Sequence, residues 1–338
     1  MAEASPEPAA PTGASTLEVF VRQIRYEGRN VQSYELVAVD GGELPPFTAG
    51  AHIDVYPGDG SVRQYSLCNP PHERDRYVIA VLRDERGRGG SKAMHERVRV
   101  QDVLRIGRPR NHFELDARAR RVVLLAGGIG VTPLKAMAHE LAQRRVDFVL
   151  HYCARDPDAV AFAHELKSTF PADRLYLHFD GGDPSVGLDI ARLLRSEMRD
   201  GTHVYYCGPA GFMTACADAS ADWPRERVHC EHFAAPAPAR APEANAAEGD
   251  DGAGFTIEIA STGQHLAVPP ERSIAEVLRA ARIGIETSCE AGLCGTCKVR
   301  YLRGEVDHRD CILGEDEQQE FLTVCVSRAK AGPLVLDL

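Results

Sequence analysis

The chain has 338 residues, 44% hydrophobic and 26% charged, with 49 acidic against 39 basic side chains and a formal net charge of -10. That composition is ordinary for a globular protein of two or three domains, and the acidic balance excludes nucleic acid and an anionic membrane as main partners, because binding either depends on cations that displace counterions. No apolar run approaches the roughly 18 residues of a spanning helix, and the start lacks a basic-then-apolar leader, so a cytoplasmic location is expected.

Residues 1–15 (MAEASPEPAAPTGAS) are non-periodic and read as a disordered tail. Residues 16–116 carry short alternating or β-branched runs, among them Leu17-Glu-Val-Phe-Val-Arg, His52-Ile-Asp-Val-Tyr and Tyr77-Val-Ile-Ala-Val-Leu, separated by Gly, Pro and Asp turns. This texture predicts a small antiparallel barrel. Within it, Arg63-Gln64-Tyr65-Ser66 puts a cation and an aromatic on one face of an extended stretch, as any amphipathic strand would. Gly89-Gly90-Ser91 supplies backbone donors and a hydroxyl suited to a phosphate, or a plain flexible turn.

From residue 117 to residue 233 strands alternate with helical patterns, at Arg121–Ala126, Asp147–Tyr152, Leu175–Phe179 and His203–Cys207, the rhythm of a doubly wound parallel sheet. The first strand runs into Gly127-Gly-Ile-Gly-Val-Thr-Pro133, with Thr132 placed to cap the next helix and Pro133 in its first turn. Such a loop suits a pyrophosphate at a helix N-terminus. Its last position departs from G-x-G-x-x-G, so read alone it is also compatible with a structural turn. Cys207-Gly208-Pro209 makes a second strand-to-helix turn at the C-terminal edge of the sheet, where open α/β sheets bind ligands.

Residues 234–253 are Ala- and Pro-rich, then acidic, and read as a semi-extended linker. In residues 254–338, Phe255-Thr-Ile-Glu-Ile alternates as a strand. Ser273 and Glu276 form a capping box ahead of Ile274, Val277, Leu278 and Ala281 at helical spacing. Cys289, Cys294, Cys297 and Cys325 then follow the C-x4-C-x2-C…C spacing of a plant-type [2Fe-2S] cluster. Structural zinc shows two paired clips, and here only Cys294 and Cys297 make one. The other six cysteines (Cys68, Cys153, Cys207, Cys216, Cys230 and Cys311) show no disulfide framework, which fits a reducing compartment.

Taken together, in this order, these motifs resemble the phthalate dioxygenase reductase family over about residues 16–338. The resemblance rests on Arg63–Ser66, Gly89–Ser91, Pro109-Arg-Asn111 with Phe113, Gly127–Pro133, Tyr152-Cys-Ala-Arg155, Tyr206–Pro209, Glu231 with Phe233, and the cysteine loop. It implies an FMN barrel, a NAD domain and a β-grasp ferredoxin domain. Arg63 and the Gly89–Ser91 loop would hold the FMN phosphate, with Gln64 beside them, Tyr65 on the isoalloxazine and Ser66 near its N5. Gly128, Gly130, Thr132, Arg155, Gly208 and Pro209 would contact the dinucleotide. Ser66, Cys207, close to the nicotinamide C4, and Phe233, over the flavin, would be the catalytic positions. Asp156 and Asp158 would repel a 2′-phosphate, favouring NADH over NADPH.

A nicotinamide delivers two electrons as hydride and a [2Fe-2S] centre accepts one at a time, so the flavin is the expected splitter. With no oxygenase chemistry of its own, the chain is expected to supply electrons to a terminal oxygenase, Rieske-type, acting on an aromatic or related small compound. Two other readings remain: a donor to a cytochrome P450 or other monooxygenase, and an iron–sulfur redox sensor or binding module. The acidic residues Glu286, Glu290, Glu305, Asp307 and Glu315–Glu317 are a docking face or simply a solvated one.

Overall fold

The computed structural model describes residues 16–58, 61–85, 87, 89–233, 254–287, 290–292, 295–310 and 312–338. The expected tail and linker, and Cys289, Cys294 and Cys311, lie outside them. By packing, the chain divides into two units, residues 1–233 and 234–338.

The first unit opens with β1 (Thr16–Gly28), β2 (Val31–Ala38), β3 (His52–Tyr56), β4 (Arg63–Ser66), β5 (Tyr77–Leu82), α1 (Gly90–Arg97) and β6 (Val103–Gly107). The strands pair antiparallel in the order β4-β3-β6-β1-β2-β5, and a bridge between Leu67 and Ile79 joins the two edges. Alternation does the sorting: Val19 and Val21, Tyr34 and Leu36, and Tyr77, Ile79 and Val81 all point into one core, as period-two side chains must.

Next come β7 (Arg121–Gly127), α2 (Val131–Arg144), β8 (Asp147–Ala154), α3 (Ala163–Thr169), β9 (Leu175–Phe179), α4 (Ile190–Glu197), β10 (Thr202–Cys207), α5 (Ala210–Ala219) and β11 (Val228–Glu231). The five strands are parallel, in the order β11-β10-β7-β8-β9. β7 is apolar almost throughout because both of its faces are covered. Val122, Leu124 and Ala126 join one core with Leu134 and Met137 of α2, while Val123 and Leu125 join another with Leu194, Met213 and Trp223. The first of these cores also takes in Val31, Ala49, Cys68 and Ala80 from the barrel region. Barrel and parallel sheet thus share apolar packing, which explains why they form a single unit.

The second unit holds β12 (Phe255–Ile259), β13 (Gln264–Val268), α6 (Ile274–Ala280), β14 (Lys298–Asp307), β15 (Phe321–Thr323) and β16 (Arg328–Leu336). Its mixed sheet runs β13-β12-β16-β14-β15, with only β12 and β16 parallel. The expected capping box is present: Glu276 N–H donates to Ser273 Oγ at 3.2 Å, and Ser273 N–H donates to Glu276 Oε2 at 2.7 Å.

Candidate active site and cluster-binding loop

β4 pairs with β3, setting Arg63 opposite Val55, Tyr65 opposite Ile53 and Ser66 opposite His52, so Ser66 belongs to the strand rather than to the turn after it. Gln64, on the alternate face, donates to Asp54 Oδ1 at 3.2 Å and meets His52 Nε2 at 3.3 Å. Arg110 donates to both oxygens of Asp54 at 2.8 Å, and its backbone bonds that of His52 in both directions. Burial, aided by Arg110 and His112, pushes the His52 imidazole down to about 4 and keeps it neutral. The end of the barrel beside β4 is therefore rigid.

Arg63 lies against the start of α1. A methyl group at Gly90 would sit 2.2 Å from Arg63 Nε, and Gly89 adopts φ +90°, which favours glycine. Among the described residues no side chain caps α1, and its first N–H groups start beside the guanidinium, which also donates to the Val62 carbonyl at 2.8 Å. A helix start beside a cation is the kind of place that suits an anion. Ser91 is partly committed, its hydroxyl accepting from Asp84 N–H at 3.1 Å.

On the parallel sheet the chain runs outward from β7 through β8 and β9 in one direction and reaches β10 in the other. The switch point lies between the carboxyl ends of β7 and β10, the usual crevice for a ligand. Gly128 there has φ +52°, and a methyl added to it meets open space. Gly130 is the reverse case: its Cβ would lie 2.1 Å from the Cys207 carbonyl oxygen, so glycine permits the two loops to touch. Thr132 is not the helix cap. α2 begins at Val131 with Gly130 before it, and Thr132 is buried in the first turn, its hydroxyl donated to the Ile129 carbonyl at 3.0 Å. Gly208 packs between Phe212 and Gly127, and Pro209 leads into α5, whose N-terminus no side chain among the described residues caps.

Cys207 is fully buried, and burial drives its thiol well up, with Glu231 and Cys230 adding to the shift. Register sets Cys207 beside Glu231 across β10 and β11. Ser66 Oγ in turn donates to Glu231 Oε2 at 3.3 Å, bringing the barrel strand and the sheet edge together. Desolvation raises the Glu231 carboxyl to about 8, against the lowering effect of that bond, so it carries a proton at neutral pH. Phe233, just past β11, is 43% exposed. Arg155 is exposed after β8, its carbonyl accepting from Gly181 N–H at 2.9 Å. The carboxylates expected to repel a 2′-phosphate are engaged elsewhere: Asp156 accepts from Arg29 of the barrel at 2.9 and 3.2 Å, and Asp158 lies 3.6 Å from the same guanidinium.

In the second unit, pairing of β14 with β15 brings Cys297 and Cys325 together at their ends, both buried, with their sulfurs 3.1 Å apart. Gly292 and Gly295 hold φ of +70° and +69°, and at Gly292 a methyl would press on Val326 at 2.7 Å. Two buried cysteines held this close, with positive-φ glycines at 292 and 295, suit a cluster held by thiolates. The two remaining expected ligands, Cys289 and Cys294, fall outside the described residues.

Two family models match: an oxidoreductase NAD-binding domain over residues 124–218 and a 2Fe-2S iron-sulfur cluster binding domain over residues 257–330. The reductase subunit of a tert-butanol monooxygenase / tert-amyl alcohol desaturase from Aquincola tertiaricarbonis is 54% identical over 96% of both chains. A solved phthalate dioxygenase reductase, described as a modular structure for electron transfer from pyridine nucleotides to [2Fe-2S], is 41% identical. It superposes with a TM-score of 0.72 over 96% of this chain and 98% of its own. The chain belongs to the phthalate dioxygenase reductase family. Within that family it is an NADH-dependent oxidoreductase with FMN and [2Fe-2S] cofactors, and it serves as the reductase component of an oxygenase system. A self-sufficient type IV cytochrome P450 monooxygenase also superposes, with a TM-score of 0.80 and 35% identity over 96% of this chain. This chain spans only 41% of that protein.

The three regions fit the family's cofactors on their own terms: a helix start beside an arginine, an open glycine at the switch point, and positive-φ glycines near two buried cysteines. When bound, the cofactors pass hydride from NADH to the flavin and single electrons onward to the cluster. In the sequence Glu231 stands out only as part of the resemblance, with no role of its own. Its register with Cys207, at the carboxyl end of a short strand, was the available signal.

Proposed function

We propose that Arg63, Gln64, Tyr65 and Ser66, with Gly89–Ser91, hold FMN along β4 and the start of α1. Arg63 and the uncapped helix start face the phosphate, and Ser66 faces the ring. NADH enters at the switch point over Gly128 and the Cys207–Pro209 turn, with Arg155 toward its adenosine end and Phe233 over the flavin. Gly130 and Thr132 serve this site by packing. Ser66 and the protonated Glu231 offer a hydroxyl and a carboxyl proton beside Cys207, and the burial of Cys207 keeps water and a competing thiolate charge from that point. Cys289, Cys294, Cys297 and Cys325 hold the cluster.

The observation that carries this reading is the Ser66–Glu231 contact with Cys207 alongside, because it joins the flavin strand and the nicotinamide edge at one place. The test is an anaerobic NADH titration followed by optical and EPR spectra. Flavin bleaching with growth of a rhombic reduced-cluster signal is expected. Flavin reduction with iron and sulfide present but no such signal would break the route at its last step.

The partner in this reading is a Rieske-type terminal oxygenase in the cytoplasm. The tert-butanol monooxygenase relative widens its substrate class from aromatic compounds to other small molecules. Likeness to the self-sufficient P450 keeps a haem monooxygenase as the second reading. Reconstitution with a purified oxygenase of each kind separates them by coupled product formation.

A further inference from the structure

Lys135, one turn into α2, is 3% exposed and lines a cavity shared by the barrel and the sheet. Its Nζ donates to the Cys68 carbonyl at 2.8 Å, meets Glu165 Oε1 at 2.6 Å and lies 4.8 Å from the Phe162 ring. Burying an ammonium is expensive and stabilises little, so such a group is better explained by what it connects. The partners come from two places, the barrel wall and the start of α3, while Lys135 itself belongs to α2. α2 starts at the Gly128 loop, Glu165 sits in the first turn of α3, and Cys68 follows Ser66 by two residues on the barrel wall.

Both ends of the connection are stiff. Leu67 N–H and Cys68 N–H are bonded to Ala51 and Val78 at 2.8 and 2.9 Å, fixing the carbonyl that Lys135 grips. Burial opposes ionisation of Glu165, but His139, 3.6 Å away, and the contact with Lys135 override it and hold its carboxyl at about 2. Beside this group the contact between barrel and sheet is open: a cavity of about 350 Å³ is lined by Arg25, Glu27, Asn69, His139 and Glu165. Cys68 also belongs to the apolar packing the two parts share, so Lys135 adds a polar contact to that packing on its cavity side. The 3.3 Å Ser66–Glu231 contact is too long to define the placement of the two parts by itself.

We propose that Lys135 is a positioning residue for hydride transfer, a tie that sets the dinucleotide loop at the head of α2 against the flavin strand ending at Ser66. This rests on the reading that Gly128 and Ser66 flank the two reacting cofactors. A misplacement of about 1 Å between reacting groups can cost on the order of 10²-fold in rate without abolishing binding, so the tie acts on hydride transfer more than on NADH affinity.

The experiment is anaerobic stopped-flow reduction of the holoprotein by NADH and by its 4-deuterated form. Three variants are compared with wild type: Lys135→Met, the apolar pair Lys135→Met/Glu165→Leu, which removes the stranded carboxylate and guards against misfolding, and Ser66→Ala. Both Lys135 variants are expected to keep FMN and to bind NADH within about threefold of wild type, while flavin reduction slows at least tenfold and the isotope effect rises. A double variant that holds FMN and reduces it within twofold of the wild-type rate overturns the tie. So does a slowing explained wholly by weaker NADH binding. Undiminished reduction in Ser66→Ala, with slow reduction in the Lys135 variants, supports the tie and overturns the role given to Ser66.

Discussion

Gly128 and Gly130 stand two residues apart in one loop and answer to different constraints. At Gly130 an added methyl meets the Cys207 carbonyl at 2.1 Å, while at Gly128 it meets only open space, though φ there is +52°. Gly130→Ala is therefore expected to destabilise the fold by about 1–3 kcal/mol, the usual range for overpacking. Gly128→Ala is expected to cost about 1–2 kcal/mol for the left-handed backbone and to act mainly by raising KM for NADH. Urea unfolding beside steady-state kinetics checks the contrast, and equal effects on both readouts in the two variants would contradict it. At Glu231 the carboxyl is raised to about 8 from 4.5, so between those values the folded chain keeps a proton that the unfolded chain has released. Stability from this group is full below about pH 4.5 and is lost as pH climbs toward about 8. Glu231→Gln removes the titration, so the variant should gain on wild type between about pH 5 and about pH 8 in paired unfolding curves. A pH-independent difference would show that Glu231 titrates normally.

At the scale of elements, β4 and α1 cooperate because Gly90 lets the Arg63 side chain lie against the helix start. Arg63→Gln removes a charge-assisted contact worth about 1.5–3 kcal/mol, so FMN should bind roughly 10- to 100-fold more weakly. The salt dependence of that affinity should also flatten. Fluorescence titration of apoprotein with FMN at two ionic strengths reads both, and unchanged affinity would move the phosphate away from Arg63. Much at this scale was legible in the chain. β7 reads as a continuous apolar run because it is covered on both faces, and Ser273 with Glu276 announced α6 because a capping box is local chemistry. What depends on a neighbour's approach was not legible. Thr132 reads as a cap, but the helix starts a residue before it and turns its hydroxyl inward. Lys135 is buried although lysine is a surface residue by type, because Cys68 of the barrel and Glu165 of α3 meet it. The pairing of Asp156 with Arg29, 127 positions earlier, is likewise a contact that only the fold brings about.

At the scale of the molecule, the sharing of apolar packing decides what can be separated. The barrel and the parallel sheet are joined through Val31, Ala49, Cys68 and Ala80, so neither is expected to fold well without the other. The cluster unit has a core of its own built from Ile257, Leu278, Val299, Leu322 and Leu334. Expressed alone, residues 1–233 should thus fold, bind FMN and reduce ferricyanide with NADH, because every residue given to flavin and dinucleotide lies within them. Transfer to cytochrome c or to an oxygenase should fall to background, since the cluster ligands are absent, and NADH should elicit no reduced-cluster EPR signal. A fragment that folds but takes no hydride would mean that the cluster unit helps to shape the nicotinamide site. One that folds and still supports oxygenase turnover would place the exit for electrons at the flavin instead of the cluster. Wild-type ferricyanide activity with oxygenase turnover abolished is the result that two separately folded units, each holding its own cofactors, require.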